Sequence, residues 1–125
     1  MKKIWWAVVI ALLVTTLCCI EITFTISTAS RVDQAIELSL QQYYADDIDN
    51  ALSTITKASQ SWHTAQKRID IFLYHDTVDS ISITLTKAQQ VIKSTPEDFP
   101  TECQIAKEQL ASLKDAQLPY LENIL

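Results

Sequence analysis

Ile4–Ile20 reads IWWAVVIALLVTTLCCI, seventeen residues without a charge, preceded by Lys2 and Lys3. At ~1.5 Å of rise per residue such a helix covers ~25 Å. The hydrocarbon of a bilayer is ~30 Å thick. Ile22–Ile26 carries the apolar character past Glu21 and makes up the difference. Trp5 and Trp6 suit the headgroup boundary, and the two lysines favour retention of the N-terminus in the cytoplasm. The stretch therefore reads as a single-pass anchor over residues 1–26, with everything after it outside the cytoplasm. Glu21 is then either at the outer headgroup level or a deliberate intramembrane carboxylate; its distance from Lys3 favours the first, where a charge near a helix end costs little.

Two further features of the anchor bear on its use. Ser27 and Ala29 form a small-x-small pattern before Ser30, which a signal peptidase could accept, so the alternative is a protein secreted after cleavage behind Ala29. Against it, the apolar core exceeds the ~7–15 residues of an ordinary signal peptide. Ala7, Ala11, Thr15 and Cys19 recur every four residues. Small residues at that spacing let two helix backbones approach closely in lipid, which marks these four as candidates for packing within the membrane.

The composition excludes much. There is no glycine among 125 residues. P-loops, dinucleotide-binding turns and nucleophile elbows all depend on glycine, so none is present. Abundant Ala, Leu, Ile, Gln, Glu and Lys point to an all-α fold. The net charge is -5, and beyond Thr25 acids outnumber bases. Such a domain is a poor ligand for nucleic acid, and for anionic lipid. Of the three cysteines, Cys18 and Cys19 lie in the anchor and Cys103 is remote. No intrachain disulfide and no metal-type cysteine spacing is expected.

Past the anchor, Val32, Ile36, Leu40 and Tyr43/Tyr44 continue a helical period, a helical extension over residues 27–45. Asp46, with Asp49 three residues on, reads as the N-cap of the next helix. From there Ile48, Ile55, Trp62 and Ile69 recur every seven residues, interleaved with Ala51, Ala58, Ala65 and Phe72. This is a narrow seam of large residue and alanine that needs partner helices to bury it. A second seam follows out of phase: Val78, Ile81, Leu85, Ala88 and Ile92. At the shift, Tyr74–Thr77, either the helix breaks, with Asp76 as N-cap and Asp79 at N3, or one long helix rotates its apolar face; a break is favoured because folding back buries both seams within one chain. Ser94-Thr95-Pro96-Glu97-Asp98 is a stop-and-start signal. Thr101 with Gln104 reads as a capping box for a last helix faced by Cys103, Ala106, Leu110, Leu113 and Gln117, and ended by Pro119. The expected architecture is thus an N-terminal transmembrane helix followed by a small antiparallel helical bundle or hairpin of about three helices, residues 46–125.

The anchor, the helix with its central Trp62, the step His75-Asp76-x-x-Asp79-x-Ile81 and the terminal Asn123-Ile124-Leu125 together resemble a family of short, single-pass bacterial membrane proteins of unknown function, found mainly in Gram-positive anaerobes. The resemblance implies a helical extracytoplasmic domain in the cell membrane. It implies no activity and no ligand.

Chemistry-bearing residues are few. Trp62 is a core residue or an anchor for a partner. His63, His75, Asp76 and Asp79 could be assembled into a metal site, but Asp at these places also serves caps and turns. A Ser61–His63–Asp arrangement lacks any glycine for a nucleophile turn or oxyanion loop, which argues against an enzyme. The expectation is a non-enzymatic, membrane-anchored interaction or structural module without cofactor, working through a protein partner or a second copy of itself. The alternative is a ligand- or metal-sensing domain.

Overall fold

The structure is a computed structural model that describes residues 1–69 and 75–124, and the side chains of residues 1–68 and 76–115. Four α-helices follow one another: α1 (Lys2–Tyr44), α2 (Ile48–Ile69), α3 (His75–Ser94) and α4 (Phe99–Ile124). A 3-10 turn, Pro96–Asp98, leads into α4. There is no strand among the described residues. The fold is all-α.

α1 is a single helix of 43 residues, ~65 Å long at ~1.5 Å per residue. Its two halves have different surroundings. From Ile4 to Ile20 only Val9 and Cys19 are not exposed. From Ile22 onward one face is buried: Ile22, Thr25, Ala29, Val32, Ile36 and Ser39. This half forms one wall of a bundle. α1 and α3 each pack on α2 and α4, and among the described residues neither diagonal pair comes within 8 Å between Cα atoms. The helices therefore stand at the corners of a square, running up, down, up, down.

The described members of both seams are inside, with Ile48 at the end of the first only half-buried. Ala51, Ile55, Ala58, Trp62 and Ala65 of α2 are buried, and so are Val78, Ile81, Leu85, Ala88 and Ile92 of α3. α4 contributes Phe99, Cys103, Ala106, Leu110 and Leu113. The fold-back expected at Tyr74–Thr77 is seen in the packing of α2 on α3: the Trp62 indole N–H donates to the Val78 carbonyl oxygen at 3.2 Å. The residues of the connection itself, 70–74, lie outside the described residues, as do Phe72 of the first seam and the side chain of Gln117.

Helix ends differ from the sequence reading in four places. α1 ends in a turn whose Asp47 N–H donates to the Gln42 oxygen and whose Asp46 N–H donates to the Tyr43 oxygen. That is a Schellman closure, which places the residue after the cap in the left-handed region. Asp46 occupies it at φ 62°. In a chain without glycine, aspartate is among the residues that tolerate this conformation best. Asp46 is thus the C-terminal residue of one helix closure, and the cap of α2 is Asp47, whose carboxylate accepts from the Asn50 backbone N–H at 3.4 Å and its side-chain amide at 2.6 Å. Asp76 lies in the first turn of α3, which starts one residue earlier at His75. Thr101 lies inside α4, because the 3-10 turn runs straight into a helix starting at Phe99, with Pro100 in the first turn where its missing N–H costs nothing. Pro119 does not end α4, which continues to Ile124. A proline fixes φ at a helical value and removes one hydrogen bond, a loss a last turn accommodates.

Candidate functional site

The bundle's surface is polar on most sides, and its charge is segregated. Asp46, Asp47, Asp49, Glu97 and Asp98 gather at the end far from the apolar Ile4–Ile20 stretch, around the two connections there. At the opposite end, where α1 leaves the bundle, Arg68 of α2 reaches across to Glu21. Its Nε lies 3.1 Å from both carboxylate oxygens and one Nη 2.9 Å from Oε1. The same guanidinium stacks on the Phe24 ring, 4.2 Å from its centroid. Glu21 therefore faces a cation supplied by the second helix. The fork geometry gives that contact a direction as well as a charge.

Above this pair a groove of about 690 Å³ runs between α1 and α2. Its floor is apolar or small: Phe24, Thr28, Val32, Ala35, Ala58 and Ala65. Its rims are basic: Arg31 on α1, Lys57 and Arg68 on α2. The groove exists because alanines of the first seam bring α1 and α2 close at the core while long side chains stand up along the outer edges. The Thr28 hydroxyl, buried at the floor, has no hydrogen-bond partner among the described residues, and such orphaned groups are uncommon. Net charge hid this groove from the sequence: three cations 31, 57 and 68 positions along the chain converge only in three dimensions.

The residues singled out from sequence do not form one site. Ala7, Ala11, Thr15 and Cys19 lie on the uncovered half of α1, and the Thr15 hydroxyl donates to the Ala11 carbonyl at 2.9 Å. Trp62 has no exposed surface and spans from α2 to α3. Asp76 is exposed. Asp79 accepts a hydrogen bond from the Gln66 side-chain amide, and Gln66 in turn accepts from the Ser82 hydroxyl. This polar chain links α2 to α3. The side chain of His75 lies outside the described residues. Among the described residues no three of His, Cys, Asp and Glu come together as metal ligands do.

Three groups among the described residues titrate away from their ordinary values, the first being Arg68, which its hydrogen bond to Glu21 raises. Cys103 is buried in the core, and burial pushes its thiol up to about 12, with the negative charges of Glu102 and Glu37 acting in the same direction. An inert core thiol is the result, since the thiolate is the reactive form. Lys107 of α4 pairs with Glu37 of α1, and that hydrogen bond raises the ammonium above its ordinary value.

A family model described as a domain of unknown function, DUF4363, matches residues 20–124. The chain belongs to that family. The match begins at the level of Glu21 and takes in the outer half of α1 with the rest of the bundle. No curated protein and no solved structure matches the chain.

Proposed function

We propose that this DUF4363-family chain is a single-pass, non-enzymatic module that holds a helical bundle at the outer face of the cytoplasmic membrane, where the bundle associates with protein. The observation that carries the reading is the division of α1. Its first half is apolar all round and uncovered by the rest of the chain, a surface that suits lipid. Its second half is apolar on one stripe only, and that stripe is packed. Lys2 and Lys3 favour the short end inside. Cleavage behind Ala29 would cut α1 where it is fully buried and discard Ile22, Thr25 and the Glu21 partner of Arg68. Retention of the anchor keeps the bundle whole. Several buried and half-buried polar side chains join one helix to another: Ser39 to the Ala51 carbonyl, Thr54 to Gln42, Trp62 to Val78, Gln66 to Ser82. That supports a scaffold.

The test is alkaline carbonate extraction of membranes carrying the full chain with a C-terminal tag. It is combined with the intact mass and with protease added from outside. The reading expects the chain in the pellet, at full mass, with the tag digestible in intact spheroplasts. A mass starting at Ser30, or a protected tag, overturns it.

A further inference from the structure

We propose that the α1/α2 groove receives α4 of a second copy of this chain, the two copies standing side by side in one membrane. The proposal rests on the anchored reading, because a shared membrane is what sets two copies at the same height.

The groove asks for an anionic, amphipathic helix. Arg31 and Lys57 flank it from opposite rims, and neither has an ion-pair partner among the described residues. They are unpaired cations in a chain of net charge -5. The floor of Val32, Ala35 and Ala58 is shallow and apolar, which lets a helix approach closely rather than a bulky ring enter.

The outer face of α4 answers it. Ile105, Glu108, Ala111, Ser112 and Asp115 are spaced by three and four, and all are exposed. They form one stripe with apolar and acidic members. Neither Glu108 nor Asp115 has an ion-pair partner among the described residues. This face looks away from the bundle, on a different side from the groove, because α4 touches α1 and α3 while the groove lies between α1 and α2. Each copy thus carries both halves of the contact.

Height is the decisive observation. Tyr43 touches Phe99 ring to ring at 5.3 Å, and Glu37 pairs with Lys107. Stepping down two antiparallel helices from these contacts puts Glu108 level with Ile36 and Asp115 level with Ala29. Ser39 bonds the Ala51 oxygen and Glu21 bonds Arg68, which puts Lys57 about level with Val32. Asp115 then falls ~3–5 Å of rise from Arg31 and Lys57, and Glu108 lies about one turn above Lys57. Long basic side chains span such offsets. Two chains held at Glu21 by one bilayer arrive with acid opposite base and need no vertical slide. The two surfaces differ, so the contact is head-to-tail and extends into a ring or a row in the membrane plane.

The experiment uses the full chain in membranes with Cys18→Ser and Cys19→Ser, leaving Cys103 buried. One copy carries Ser61→Cys at the groove, and a co-expressed copy carries Ser112→Cys on α4. The proposal expects a short bifunctional thiol reagent to join the mixed pair well above either substitution alone. Glu108→Lys with Asp115→Lys on the α4 copy should lower that yield about tenfold, from two modest ion pairs turned repulsive. Arg31→Glu with Lys57→Glu on the groove copy should restore it. Absence of the mixed product, equal yield from Ser112→Cys alone, or indifference to the charge reversal overturns the proposal. Carbonate extraction of the same membranes separates the two failures. A chain found in the pellet without crosslinks sinks this contact alone, and a chain found in the supernatant sinks the anchored reading and the contact with it.

Discussion

Trp62 joins two helices through both its ring and its N–H, so its replacement is the most direct measure of what holds the bundle. The side chain has no exposed surface, and its indole donates to the Val78 carbonyl across the α2–α3 interface. Trp62→Ala removes a large buried ring and leaves a cavity among residues that are themselves backed by rigid helices. Such changes cost about 3–5 kcal/mol. Trp62→Phe keeps most of the apolar volume and loses the donor. The cost there is about 1 kcal/mol for the hydrogen bond plus a fraction of the ring, about 1.5–3 kcal/mol in all. Against a total of about 5–15 kcal/mol for a domain of this kind, the alanine variant is near the edge of folding and the phenylalanine variant is not. The assay is urea unfolding of the full chain in micelles followed by far-UV circular dichroism, in which the anchor stays helical and the bundle melts. With a slope of about 1.5 kcal/mol per molar, the alanine variant should melt about 2–3 M earlier with the slope unchanged. A midpoint within about 0.5 M of the parent would mean that Trp62 is not a core residue in solution, and the square arrangement of helices would fall with it.

Other outcomes follow from the same structure. The Cys103 thiol stays protonated to about 12 in the fold, against an ordinary value of 9.0. The folded state therefore binds more protons between those values, and stability falls as pH rises through that window, by at most about 4 kcal/mol. Cys103→Ala should flatten the alkaline decline between about pH 9 and about pH 11 in urea melts, and an identical slope in both proteins would refute the assignment. Asp46→Gly should stabilise by about 0.5–1 kcal/mol, because the residue stands at positive φ, whereas Asp46→Val should destabilise by more than that. Equal melting of the two would show that the turn does not close as described. Ser39→Ala removes a buried 2.7 Å bond from α1 to the Ala51 carbonyl and should cost about 1 kcal/mol in the same melt.

Most of the core was legible because helical burial repeats. Every member of the second seam, and Ala51 to Ala65 of the first, is inside, as periodicity alone required. Phe99 was not legible. It lies between Asp98 and Pro100, in a stretch whose turn chemistry outweighs a single aromatic, yet it is fully buried against Tyr43. Thr25, Thr28 and Ala29 were hidden for another reason: small residues on a helix that continues an apolar stretch carry no apolar contrast, and only the neighbouring helices give them an inside. The choice between Asp46 and Asp47 as cap turned on one backbone angle, which three nearby aspartates cannot reveal. The groove was least legible of all, since periodicity reports which residues face inward and says nothing about which outward cations become neighbours.

The small-residue stripe and the bundle constrain one another. Eighteen residues make five turns of an α-helix. Ala7 therefore stands beneath Thr25 and Ala11 beneath Ala29, both buried in the bundle, while Thr15 and Cys19 stand beneath Asp33 and Glu37, the latter paired with Lys107 of α4. The stripe looks toward the side on which the rest of the bundle sits. Two copies packed stripe to stripe about a twofold axis would each raise a bundle above the other's anchor, in the same space. Relief requires a bend in α1 near Glu21, which the Glu21–Arg68 fork and the Arg68–Phe24 stack oppose by tying α1 to α2 at that height. The groove face, by contrast, continues downward into bulky Trp6, Ile10, Val14 and Leu17 and has clear space above it. On the proposed anchored reading, association between intact copies is thereby directed to the outer bundle. Ala7→Leu with Ala11→Leu should leave the copy-to-copy crosslink through Ser61→Cys and Ser112→Cys unchanged, while Glu108→Lys with Asp115→Lys reduces it. Loss of that crosslink in the leucine variant would show that the anchors meet through the stripe and that α1 bends where it leaves the membrane.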